Sequence, residues 1–306
     1  MNYKKIVRSK GLRQKIMKLL SFVPDKMMLR FQYKLKLGRS LDLTAPRRYT
    51  EKLQLYKLYY RNPALGQCVD KLRVREYVAR KGIDVSFPAL YGVYNKGEEI
   101  DFEKLPDRFV IKTTDGGGGD NIVICRDKQK LDIPATVKKL NSWLNKKNVN
   151  AGREWAYTLI PKSVIIVEEF LENPVNPDSG LEDYKILCFD GQPYCIVHDT
   201  DRYTGHKRNF YNLNWENLHI SSDCPNPSSE SPKPDNLEKM LEIASQLSWE
   251  FPFVRVDLYS IKGKIYFGEL TFYPWSGYVQ FKPDSFDFEL GNRFNISNFY
   301  SIKEKS

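Results

Sequence analysis

The chain has 306 residues, 41% hydrophobic and 28% charged, with a formal net charge of +10. This is the make-up of a globular protein, and it argues against a disordered or fibrous chain. No stretch approaches ~18 consecutive apolar residues, so no membrane-spanning helix is expected. The start lacks the apolar core of a secretory signal, so a cytoplasmic location is expected. Cys68, Cys125, Cys188, Cys195 and Cys224 form no C-x-x-C pair, and His198, His206 and His219 lack zinc spacing. They read as reduced thiols and ordinary histidines.

Residues 1–40 carry twelve Lys/Arg and one acid, Asp25, a net +11 that leaves about −1 on the rest. Ile16, Leu19, Leu20, Phe22, Val23, Met27, Met28, Leu29 and Phe31 are interleaved with the basic residues. The segment reads as one or two helices broken near Pro24. Two readings stand: an interfacial helix in peripheral contact with an anionic membrane, or a helix packed on the body with its lysines in water. Nucleic acid is not an expected partner, because the rest of the chain is neutral.

Helices are predicted over Thr50–Tyr60 and over Val69–Val78, the latter capped by Asp70 and ended by Gly82. Phe87–Tyr94 is β-rich, Asp101–Leu105 is a brief turn or helix, and Phe109–Lys112 is a strand. Helix is predicted from Pro134 to Lys146, and a buried strand from Ser163 that turns acidic before Leu171. Asn173–Gly180 is a loop. Tyr184–Phe189 and Pro193–Val197 form a hairpin through Asp190-Gly191. Ser221–Pro234 is a loop and Leu237–Leu247 a helix. Phe253–Tyr259 and Lys264–Thr271 make a second hairpin.

The most informative stretch is Phe109-Val-Ile-Lys112 followed by Gly116, Gly117, Gly118 and Gly119, then Ile122-Val-Ile124. Four glycines let a turn lie flat against a ligand, and freed N–H groups beside a lysine suit a polyphosphate. The plain alternative is a hairpin tip. A P-loop needs its lysine after the glycines and a helix next, and a dinucleotide fingerprint also opens a helix. Neither context is present. What remains is a glycine flap whose lysine lies on the preceding strand.

Asp257 and Glu269 each sit in an apolar run on the strands of the last hairpin. A carboxylate there is costly unless paired or metal-bound, and two converging carboxylates suit Mg2+. Solvent-facing positions on alternating strands are the other reading. Arg255 shares a face with Asp257 and is placed to stabilise a transferring phosphoryl group, or simply to form a salt bridge. Lys185 alternates with apolar neighbours, as a second phosphate lysine or a surface lysine would. Arg202, Lys207 and Arg208, in a polar and aromatic segment, are candidates to clamp a substrate carboxylate.

Taken in order, this arrangement resembles the ATP-grasp family. The wording resembles most its TupA-like (teichuronopeptide-biosynthesis) branch. The residues that carry the resemblance are Tyr49–Gln54, Asp70-Lys71, Phe109–Lys112, Asp115–Asn121, Asp183–Gly191, Asp201-Arg202, Arg255–Leu258 and Gly268–Gly277. The resemblance implies an α+β fold in which two lobes clamp ATP, with a basic helical extension. The expected divisions are 1–84 for the helical N-terminal region, 85–171 for the lobe with the flap, and 172–306 for the lobe with the metal hairpin.

It further implies that Lys112 and Lys185 hold phosphates under Gly116–Gly119. Glu168, Glu169, Phe170 and Leu171 would frame the adenine, with Glu172 at the ribose. Asp257 and Glu269 would bind Mg2+, with Thr271 where the family commonly has Asn. The implied activity is a carboxylate–amine ligase that passes through an acylphosphate. Its setting is bacterial surface-polysaccharide biosynthesis, with a uronic-acid saccharide and an amino acid as substrates and other polysaccharide enzymes as partners. The rival is a glycosyltransferase using Asp199-Thr200-Asp201 as a metal-binding D-x-D. A third reading is a non-catalytic scaffold held at the membrane.

Overall fold

The computed structural model describes residues 20–117, 121–145 and 152–300. Gly118, Gly119 and residues 1–19 of the basic segment lie outside the described residues. Among the described residues nine strands form two antiparallel sheets. β1 (Leu90–Tyr94), β2 (Phe109–Thr113), β3 (Ile122–Cys125) and β4 (Ile165–Glu169) make a four-stranded sheet ordered β1-β4-β2-β3. β5 (Asp183–Phe189), β6 (Gln192–Thr200), β7 (Lys207–Tyr211), β8 (Phe253–Ile261) and β9 (Lys264–Thr271) make a five-stranded sheet ordered β7-β6-β5-β8-β9.

Burial follows from these positions. Phe109, Ile111 and Thr113 of β2 are buried and alternate with half-buried Val110 and Lys112, the pattern of a strand with one covered face. β5 is buried at all seven positions, as a central strand covered on both faces must be. Asp183 and Lys185 therefore lie inside and need partners there. Both predicted hairpins form. Asp190-Gly191 and Lys262-Gly263 turn with positive φ at both residues, the conformation that two-residue hairpin loops require.

Seven helices are present among the described residues: α1 (Asp25–Leu37), α2 (Tyr49–Tyr59), α3 (Ala64–Cys68), α4 (Arg73–Arg80), α5 (Ile133–Leu144), α6 (Leu237–Ser248) and α7 (Ser285–Arg293). The chain breaks at Pro24, as expected. The helix predicted from Val69 starts four residues later, at Arg73. Asp70 accepts the N–H groups of Leu72 and Arg73 at 2.9 and 3.0 Å and so opens it. β7, α3 and α7 were not anticipated.

Two apolar cores form. Phe102, Phe109, Ile111, Leu140, Ile165 and Val167 join α5 to the four-stranded sheet. The larger core packs α1, α2, α4, α6 and α7 on the five-stranded sheet, through residues such as Tyr33, Tyr56, Val78, Met240 and Leu290. Residues 25–80 therefore share a core with the second sheet. Asp287 of α7 fastens this arrangement by accepting the Thr50 N–H at 3.0 Å and Arg39 Nη2 at 2.5 Å. Among the described residues no helix is long and apolar enough to cross a membrane.

Candidate active site

An open cleft lies between the sheets. Its walls include Val110 and Lys112 of β2, Ile122 and Ile124 of β3, the segment Glu168–Asn173, and Tyr259 of β8. The glycine stretch does leave β2 and return on β3, since Lys112 pairs with Ile122 across the two strands.

The five-stranded sheet places three charged residues in one row. Lys185 of β5 pairs with Asp257 of β8, and Asp257 pairs with Glu269 of β9. A register shift follows Asp257, and Gly268 sits against it. A Cβ at Gly268 would lie 2.8 Å from the Asp257 carbonyl oxygen, so the irregularity that aims these two acids admits only glycine. Arg255 shows that the side chains converge. Its Nη2 lies 2.7 Å from Asp257, 3.2 Å from Glu269 and 3.1 Å from the Thr271 hydroxyl. Three oxygen donors thus surround one cationic atom. This donor set fits Mg2+, a hard cation that takes oxygen ligands.

Lys185 is buried among Asp183 at 2.9 Å, Asp199 at 3.4 Å and Asp257 at 3.8 Å. Burial pushes Asp257 up to about 6, against the pull of Arg255 and Lys185. Against the cost of burial, Arg255 and Lys71 hold Glu269 down to about 2. Glu269 is therefore fully ionised at neutral pH.

On the four-stranded sheet Lys112 pairs with Glu168, which also accepts Arg75 at 2.8 Å. Glu168 therefore acts first as a counter-ion inside the cleft. Glu169 also lines the cleft, and its carboxylate accepts the Ala89 N–H at 3.0 Å. Phe170 and Leu171 line the cleft, with Arg108 and Arg126 over the Phe170 ring at 5.1 and 5.4 Å. Glu172 also lines it, paired with Arg108 at 2.5 Å.

Lys71 had been given no role. Its ammonium bonds the Gly116 carbonyl, its N–H donates to Thr114 O at 3.1 Å, and it shares a small cavity with Tyr157 and Glu269. Burial draws it down from the usual lysine range while Glu269 opposes. It joins the start of the glycine flap to the acidic row. Gly116 and Gly117 lie at this junction, and a Cβ on Gly117 would sit 3.7 Å from the Tyr157 hydroxyl. The Asp70-Lys71 pair was legible as a motif, but its place beside the flap depends on the tertiary fold.

The arginines expected to clamp a substrate are engaged elsewhere. Arg202 lines the cleft and bonds Asp183 at 2.5 Å. Arg208 grips Asp199 through Nε at 2.5 Å and Nη2 at 2.9 Å. Lys207 opens β7, at the sheet edge. Asp199 also lies 3.3 Å from His206 and 3.4 Å from Lys185, so its carboxylate is saturated and the D-x-D triplet presents no free pair of acids. All five cysteines are free, four of them buried.

The sequence profile described as TupA-like ATPgrasp matches residues 51–295. No curated protein matches the chain in sequence. Among solved structures it is similar to D-alanine–D-alanine ligase from Bacillus anthracis, at 18% identity and TM-score 0.42 over 67% of this chain and 57% of that one. It is similar to the Helicobacter pylori D-alanine–D-alanine ligase at 13% identity and TM-score 0.46, over 80% and 69%. The phosphoribosylamine–glycine ligase of Thermotoga maritima aligns at 14% identity and TM-score 0.40, over 68% and 48%. The chain thus spans little more than half the length of the Bacillus structure.

Proposed function

Since the chain belongs to the TupA-like ATP-grasp family and has the ATP-grasp fold, we propose that it is an ATP- and Mg2+-dependent carboxylate–amine ligase. The observation that carries this reading is the in-register row Lys185–Asp257–Glu269, linked through Lys71 to the glycine flap. The cationic side chains of the cleft wall and of the acidic row rest on carboxylates: Lys112 on Glu168, Lys185 on Asp183, and Arg255 on Asp257 and Glu269. A triphosphate offers the same cations anionic oxygens, so it can replace those partners without leaving a buried charge unpaired.

In this reading the adenine lies between Val110 and Ile124 on one side and Tyr259 on the other, with Glu172 at the ribose. Lys112, Lys185 and Lys71 hold the phosphates, and Gly116 and Gly117 begin the cover that keeps water out. Asp257 and Glu269 would hold Mg2+, with the Thr271 hydroxyl beside them. When bound, the metal neutralises charge on the phosphoryl group as it transfers. Arg255 stands next to the transferring group and steadies the same charge. The substrate carboxylate attacks the γ-phosphorus and ADP leaves. The amine then attacks the acyl carbon, phosphate leaves, and an amide remains.

The chemistry asks for positioning and charge stabilisation and needs no protein nucleophile. The acid and amine proposed are a uronic-acid saccharide and an amino acid, joined in the cytoplasm beside the cell membrane during surface-polysaccharide synthesis. The test is ADP release with Mg2+, ATP, an amino acid panel and uronic-acid saccharides. Release that depends on both an acid and an amine supports the reading. Hydrolysis of a nucleotide sugar without ATP would replace it.

A further inference from the structure

The exposed face of α1 is unlike an ordinary solvated face. Met28, Leu29, Tyr33 and Leu37 are buried against the body. On the opposite side, Met27, Arg30, Phe31 and Lys34 follow the i, i+3, i+4, i+7 spacing of a single helical stripe. All four are exposed, Met27 at 62% and Phe31 at 57%, and Phe22 just before the helix is 79% exposed. Among the described residues Arg30 and Lys34 form no ion pair. They rim an open basin with Ser40, Asp42 and Thr44, where the Thr44 hydroxyl donates to Asp42 at 2.7 Å.

The one acid of residues 1–40, Asp25, is paired with Arg153 at 3.3 Å. The Arg153 guanidinium also donates to the carbonyls of Leu20 and Val23 at 3.1 and 3.0 Å. It thereby seats the start of α1. A few residues on, the same segment carries Tyr157 to the cavity shared by Lys71 and Glu269. The start of α1 and the small Lys71–Glu269 cavity are therefore joined by one short piece of chain.

We propose that the Phe22–Met27–Arg30–Phe31–Lys34 face is a docking surface for an anionic phospholipid bilayer, with the apolar side chains entering the headgroup boundary and the cations meeting lipid phosphates. Charge complementarity names the occupant. Residues 20–40 carry five Lys/Arg against the single acid Asp25, so a second copy of this face is repelled, while an anionic leaflet attracts it. Nucleic acid would use the charge but has no need of Phe22, Met27 and Phe31 on the same side. The proposal rests on the membrane-side location given above and not on the identity of the acid and amine, so failure of one does not imply failure of the other.

The experiment is co-sedimentation of the full chain with vesicles of phosphatidylcholine alone, or of phosphatidylcholine mixed with phosphatidylglycerol. Met27→Ser/Phe31→Ser and Arg30→Glu/Lys34→Glu variants are run alongside, with circular dichroism confirming their fold. Binding is expected only to the anionic vesicles, at least about tenfold weaker in each double variant, with ADP release in solution unchanged. Equal binding to neutral vesicles, or full binding by both variants, would overturn the proposal. So would a wild-type dimer in sedimentation velocity that the Met27→Ser/Phe31→Ser variant loses. Preferential binding of duplex DNA over anionic vesicles would also overturn it.

Discussion

On the five-stranded sheet the lysine and both acids are fixed in one row of paired backbones. On the four-stranded sheet Lys112 and Glu168 meet on a wall that opens to the cleft. The Lys185 side chain is 7% exposed and has three carboxylates around it, whereas Lys112 is 21% exposed and has one. The difference separates two kinds of lysine with the same proposed task. Lys185 is part of what holds its sheet together, because it is the cation shared by Asp183, Asp199 and Asp257, and removing it leaves three crowded buried acids with only Arg202, Arg208 and Arg255 to offset them. Lys112 can be removed with little structural loss, since Glu168 keeps Arg75.

The comparison is most strongly tested at the acids. Glu269→Ala and Asp257→Asn are each expected to lower ADP release by about a thousandfold or more, with the fold retained by circular dichroism. Turnover near wild type in either would remove the metal assignment. Next comes the contrast between the lysines. Lys112→Ala should lower kcat/KM for ATP by about a hundredfold with a stability change under ~1 kcal/mol. Lys185→Ala should cost activity and also about 3–5 kcal/mol of stability in chemical denaturation. Equal stability losses in the two variants would erase the distinction drawn here.

A smaller effect comes from Lys57 of α2, which is fully buried and donates to Ser276 O at 2.7 Å and Ser276 Oγ at 2.8 Å. Burial draws its ammonium down from 10.5 to about 7. Between those values the unfolded chain holds a proton that the folded chain lacks, so stability rises with pH across that window. The slope is at most ~1.4 kcal/mol per pH unit. Lys57→Met should remove it, which denaturation at about pH 7 and about pH 9 can read. An unchanged slope would mean that Lys57 is charged in the folded protein. The smallest effect expected is at Glu172. Its Ala variant should raise KM for ATP by about threefold to tenfold and leave kcat unchanged.

Much of the fold was legible because local chemistry decides it. The Asp190-Gly191 and Lys262-Gly263 turns, the Asp70 cap and the break at Pro24 each follow from residues within a few positions of one another. The acidic row was legible for the same reason, since one hairpin sets Asp257 against Glu269. β7 was hidden because Lys207-Arg-Asn-Phe-Tyr211 reads as polar loop until pairing with β6 buries Arg208 on Asp199. α7 was hidden because Ser285–Arg293 is short, and its key residue, Asp287, acts on Thr50 far away in the chain. Lys71 and the pairing of Glu168 with Arg75 belong to the same class. Both depend on which segments the topology brings together, and no local pattern encodes that.

The most direct measurement is a crystal structure of the protein with Mg2+ and a non-hydrolysable ATP analogue. The triphosphate should lie between Lys112 and Lys185, with the metal on Asp257 and Glu269 and Arg255 withdrawn from at least one of them. A nucleotide outside the cleft between the sheets, or a metal on Asp199 and Asp201, would contradict the account.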